Sequence, residues 1–218
     1  MVAVAREWYV SERGCGTRGS RRREARALAF RKGAPDWSDR ATALTLHRRR
    51  IMPRVPFETL PDDARVWVFG AESALAAPGS DRLLNAVDEF LDHWNAHGEP
   101  LRSARAWRDD RFLAIGVDQS TAGASGCSID GLFRTLARLE PELGTRLLGG
   151  GRVYYRDADG RVQATTRAAF TTLAREGAVG PETLAFDTAL TAAADWRQRF
   201  ERPVRESWHG QLIDMGNG

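Results

Sequence analysis

The chain has 218 residues, 42% of them hydrophobic and 28% charged, the composition of a globular protein with a substantial core. Its pI near 9.3 is a local property: residues 1–51 hold 13 basic and 5 acidic side chains, whereas the 19 basic and 24 acidic ones that follow leave the remainder at −5. A net-acidic folded part repels phosphate backbones, which disfavours a nucleic-acid partner, and no run of eighteen apolar residues offers a membrane-spanning helix.

Residues 1–51 carry Arg21-Arg22-Arg23 and Arg48-Arg49-Arg50 and show no sustained period of 2 or 3.6. They are expected to be a basic tail outside the fold, either disordered or upstream of a natural start at Met52. One domain is expected over residues 52–210, with 211–218 as a C-terminal tail. The N-terminus lacks the long apolar core of a secretory signal, so the cytoplasm is the expected location. Cys15 and Cys127 lie in regions of different composition and are expected to be free thiols. Lys32 is the only lysine, so no later residue can act as a P-loop or Schiff-base lysine.

Regular structure begins with Arg65–Gly70, a short apolar run ended by glycine, which reads as a strand. Ser80 then caps a helix whose apolar positions Leu83, Leu84, Val87, Phe90, Leu91 and Trp94 recur at three and four, with an expected end at His97-Gly98. Leu101 to Trp107 and Phe112 to Val117 read as two strands joined by a turn at Asp109-Asp110. After the small, flexible stretch Gln119–Gly126 comes a second helix, with Ile129, Leu132, Phe133, Leu136 and Leu139 on one face and Pro141 and Gly144 near its end. Val153-Tyr154-Tyr155 and Val162 to Thr165 form an expected hairpin about Asp157–Gly160, and a third helix is expected over Arg167–Arg175. An extended piece at Leu184-Ala185-Phe186 and a helix near Ala192–Arg199 complete the series. The order β-α-β-β-α-β predicts an α+β fold with a ferredoxin-like core and a C-terminal hairpin/helix appendage.

The most informative stretch is Asp118 through Asp130, where a strand hands over to the second helix. Cys127 falls in the first helical turn, where free N–H groups and the helix dipole favour a thiolate, and Asp118 and His209 are its candidate catalytic partners. The same turn would hold a small anionic ligand through Ser125, Gly126, Ser128 and Asp130. The competing reading makes Ser125 or Ser128 a helix cap and Cys127 a small structural residue. His93 and His97 sit at the far end of the first helix, about 15–20 Å from the start of the second in an ideal version of the fold, so His209 is the histidine free to approach Cys127. His97 is expected to cap helix carbonyls. Neither a metal site nor a cofactor is implied, because the His93/His97 spacing has no third ligand.

Trp94–Leu101, Arg111-Phe112-Leu113 through Asp118, Ala124–Asp130 and Ser207-Trp208-His209 together resemble a group of uncharacterised bacterial proteins often labelled as ABC transporter ATPases. The similarity spans about residues 64–210, and its most specific string is Ser125-Gly126-Cys127-Ser128-Ile129-Asp130. The label implies ATP hydrolysis, which needs a Walker A lysine that the chain after Lys32 does not have. Two functions are therefore expected: a small-ligand or anion site at Cys127, with thiol-dependent catalysis as one form of it, or a non-catalytic interaction or regulatory module, with a homodimer as one form of it and Cys127 structural.

Overall fold

The computed structural model describes residues 54–120 and 123–214. The basic tail expected over 1–51 lies outside these residues.

The first half of the domain is built as the sequence pattern indicates. β1 (Arg65–Gly70) leads to α1 (Gly79–Asp92), and β4 (Ser103–Arg108) and β5 (Phe112–Val117) follow a two-residue hairpin of β2 (Asn95–Ala96) and β3 (Glu99–Pro100). α2 (Gly126–Leu143) closes the unit. β1, β5 and β4 form an antiparallel sheet in that order, with Trp67 opposite Ile115 and Arg105 opposite the same residue on the other side. β5, the last of the three in sequence, thus lies between β1 and β4, as in a split βαβ unit. α1 and α2 cover one face, burying Leu83, Val87, Leu91, Leu132 and Leu136 against Phe69, Leu113, Ile115 and Val117. Each such aliphatic side chain contributes about 1.5–3 kcal/mol of transfer free energy.

Asp109 and Asp110 both have positive φ, 55° and 49°, and the turn they make is closed by the Arg111 amide donating to the Arg108 carbonyl at 3.1 Å. Aspartate tolerates this left-handed conformation better than bulkier residues. α1 ends earlier than its periodicity predicts. His93 occupies its C-cap and donates from Nδ1 to the Glu89 carbonyl at 2.9 Å. His97, expected to cap that helix, sits instead in the β2–β3 turn at φ 53°, beside Gly98 at φ 86°.

The strand after α2 departs from the ferredoxin-like arrangement. β6 (Arg152–Arg156) does not join the edge of β1; it pairs with β7 (Val162–Thr166) and β8 (Leu184–Phe186), and β9 (Glu201–Pro203) completes a second antiparallel sheet in the order β7-β6-β8-β9. The β1 edge is met by the chain at residues 191–193, where the Val66 amide donates to the Thr191 carbonyl at 2.9 Å. The physical reason lies in β5, all six of whose residues are buried. A ferredoxin-like sheet covers one face with helices, but Phe112 and Ala114 make the second face of this sheet apolar as well, and it needs a cover. Tyr154, Phe186 and Phe200 supply it, their ring centroids 5.2, 4.6 and 5.0 Å from that of Phe112.

The C-terminal third is consequently part of the core and not an appendage. Trp196 and Phe200, on and just after α4 (Ala193–Arg199), pack into the space between the sheets. α3 (Arg167–Arg175) and α5 (Gly210–Asp214) cover the outer face of the second sheet, burying Phe170, Leu212 and Ile213 against Val153, Tyr155 and Ala185. Residues 211–214, expected to belong to a tail, are therefore helical and contribute two core side chains. Helices, sheet, sheet and helices stack as four layers.

Candidate functional site

The start of α2 is held by its own side chains. Ser125 is the N-cap, with its Oγ accepting from the Ser128 amide at 3.3 Å, and the Ser128 hydroxyl donates back to the Ser125 carbonyl at 2.8 Å. Trp94 reaches across from the end of α1, its indole N–H donating to the Ser128 carbonyl at 3.0 Å. These bonds satisfy groups that a helix terminus otherwise leaves to water. Gly126 is half-buried, whereas Cys127 and Asp130 are exposed and Cys127 is a free thiol.

Asp118 ends the neighbouring strand and is only 4% exposed. Its Oδ1 accepts from the Ser120 amide at 2.9 Å, and its Oδ2 accepts from Arg102 at 2.7 Å. Hydrogen bonding from Ser120, aided by the Arg102 guanidinium, outweighs burial and holds the carboxyl below the usual carboxylate range. Such a group is ionised at neutral pH and occupied at both oxygens, which suits a loop clamp better than a proton donor.

His209 is in another layer. It is fully buried beneath α3, 6.5 Å between ring centroids from Phe170, with two sheets separating it from α2. Ser125, Gly126, Cys127, Ser128 and Asp130 lie at the N-terminal end of α2, Asp118 ends the strand before it with Arg102 and Ser120 as its partners, and His209 packs in a different layer. A Cys127–His209 pair does not form. The surface recesses along α1 and α2 are lined by residues such as Asp81, Arg82, Phe90, Arg134 and Arg138, and neither includes Cys127. Among the described residues no group of three His, Cys, Asp or Glu side chains could hold a metal ion.

Around His209 the fold assembles a polar cluster that sequence reading missed. Arg202 in β9 lies opposite Ala185, which lies opposite Tyr155, so Arg202 rises from the sheet face that α3 and α5 cover. Arg167 opens α3 and stacks its guanidinium 4.7 Å from the centre of the Trp208 ring. Trp208 donates from Nε1 to Asp187 at 3.2 Å, and the same oxygen accepts from the Ala189 amide at 3.0 Å. The Ser207 hydroxyl lies 3.1 Å from the Val204 carbonyl and is hydrogen-bonded with His209 Nδ1 at 2.8 Å. Burial, with Arg167 and Arg202 nearby and Asp187 opposing them, pushes the His209 pKa down to about 4. His209 Nε2 and the Nε atoms of Arg167 and Arg202 are buried with no hydrogen-bond partner among the described residues.

Comparisons with protein-family models, with curated proteins and with solved structures find no match for this chain.

Proposed function

We propose that the protein is a non-catalytic binding module in which the loop from Asp118 to Asp130 is a structural joint. The observation that carries this reading is the inward commitment of the loop's polar groups: Asp118 clamps Ser120 and Arg102, and Ser125 and Ser128 cap each other. A catalytic cysteine requires a base positioned to take its proton. Asp118 is occupied and His209 lies beyond two sheets, so neither serves Cys127. Both faces of both sheets are covered, which confines contacts with a partner or a second copy of the chain to the outer helix faces and the strand edges.

One observation favours the other reading, a reactive thiol or anion contact at α2: the Cys127 side chain is exposed rather than sealed in the core. Alkylation of Cys127 by iodoacetamide across pH decides between them. A rate that follows the titration of an ordinary cysteine, near pH 8.5, supports the structural joint. A rate already at its plateau at pH 7 would overturn it. Membership of the bacterial group whose Ser-Gly-Cys-Ser-Ile-Asp string this chain carries is part of the same proposal, and the missing lysine argues against nucleoside triphosphate hydrolysis.

A further inference from the structure

The solvent side of the α1–α2 layer is a shallow groove whose two flanks carry opposite charge. α1 and α2 run antiparallel: Arg82 near the start of α1 pairs with Glu142 near the end of α2, and Phe90 near the end of α1 lies against Gly131 near the start of α2, where a Cβ would come 3.3 Å from its ring. Two recesses follow the line between the helices. Their α1 flank carries Asp81 and Glu89, and their α2 flank carries Arg134 and Arg138, while Arg82 and Glu142 neutralise each other across the groove. Asp130, one turn before Arg134, lines neither recess. Asp81, Glu89, Arg134 and Arg138 are all exposed and have no ion-pair partner among the described residues, although Arg102, Arg105 and Arg156 are each paired. Ala86, Phe90 and Ala137 add apolar surface between them.

We propose that this face is a homodimer interface, in which the acidic α1 flank of each protomer docks on the basic α2 flank of its partner. The proposal names the partner of the binding module argued above and rests on that reading. A two-fold interface uses each patch twice, so a face with one acidic and one basic flank can complement itself. An axis running along the helices lays α1 of each protomer on α2 of the other and keeps their levels, which brings Glu89 of one protomer to Arg134 and Arg138 of its partner. An axis across the helices would lay α1 on α1 and set carboxylates against carboxylates. The two helices have 14 and 18 residues. The face is therefore about 20–27 Å long and about 20 Å wide. Docking two such faces buries roughly 1,000 Å² in all, the lower limit for a specific interface, which predicts a dissociation constant in the micromolar range.

Sedimentation equilibrium of the full chain over about 1–100 μM tests the interface. A reversible monomer–dimer equilibrium is expected, weakened about tenfold or more by Glu89→Arg and likewise by Arg134→Glu combined with Arg138→Glu, since either change opposes like charges at both contacts. Mixing the two variants should restore dimers that contain one copy of each, because both contacts are then attractive again. Raising salt from about 0.05 M to about 0.5 M should weaken the unmodified dimer severalfold. A chain that stays monomeric, a dimer that neither reversal weakens, or a mixture that does not pair would overturn the interface. Should a variant fail to fold, the salt response of the unmodified protein still decides: a dimer indifferent to salt refutes the charge pairing. Cys127 alkylation reads the underlying proposal separately. A reactive thiol in a protein that still dimerises sinks the structural-joint reading alone, and an ordinary thiol in a monomer sinks the dimer alone.

Discussion

The Tyr154 hydroxyl donates to the Gly70 carbonyl at 2.5 Å, so the second sheet is bonded to the end of the first strand of the other sheet. Gly70 makes the approach possible, because a Cβ there would lie 2.5–2.7 Å from atoms of the Tyr154 ring and hydroxyl. Gly70→Ala should therefore destabilise the domain by about 1–3 kcal/mol through overpacking. Tyr154→Phe should cost a similar amount by leaving a buried carbonyl unpaired. Urea unfolding of each variant and of the double variant checks this. The two effects should be less than additive, since both act on one contact.

Burial pushes the Tyr154 phenol up to about 12, with Arg111 and Arg152 pulling down and Glu72 pushing up. The folded state thus favours the neutral phenol. Above pH 10 the unfolded chain releases that proton while the folded chain retains it, so this contribution to stability is lost as pH rises from 10 towards 12. Tyrosinate absorbance followed in native protein should show a late transition that Tyr154→Phe removes. A native titration complete by pH 10.5 would refute the burial argument.

His209 has the opposite protonation logic. Its folded pKa of about 4 lies below the ordinary 6.5, so the folded state favours the neutral ring and unfolding favours protonation at mildly acidic pH. Stability from this group is complete above pH 6.5 and is lost as pH falls from 6.5 to 4, at up to about 1.4 kcal/mol per pH unit. His209→Gln should flatten the stability profile within that window. The Asp118 carboxyl, held below its ordinary value, contributes stability above that value and loses it only as pH falls below it, so the more acidic limb of the profile should stay in place.

The parts of the fold legible in the sequence are those fixed by local pattern. Leu83, Val87 and Leu91 repeat with the helical period, Phe112–Val117 is a continuous apolar run, and Asp109-Asp110 is turn chemistry. The second sheet was not legible, because Val153-Tyr154-Tyr155 reads alike whichever sheet receives it. What decides is Tyr154 meeting Gly70, 84 residues earlier. The signal for it is Phe112, which with Leu113 puts an apolar residue on each face of the central strand and so demands two covers. The α2 loop was located correctly as a junction, but Asp118 and Ser125 look the same in sequence whether they serve a ligand or their own backbone. Arg202 escaped notice because β9 has three residues, too few to show a period, and its neighbours Arg167 and His209 come from separate elements.

Asp118 separates structural from catalytic use of the α2 loop. Asp118→Asn preserves size but removes the charge that faces Arg102 and weakens the acceptor for the Ser120 amide. If the carboxylate is a clamp, the variant should lose about 1–3 kcal/mol in urea unfolding, the range for breaking a buried charge-assisted hydrogen bond. The pH dependence of Cys127 alkylation should stay unchanged, because the sulfur is exposed and the carboxylate is turned to Ser120 and Arg102. A variant of unchanged stability whose thiol titrates at a different pH would mean that Asp118 acts on Cys127 after all. The loop would then have to be reconsidered as a reactive centre.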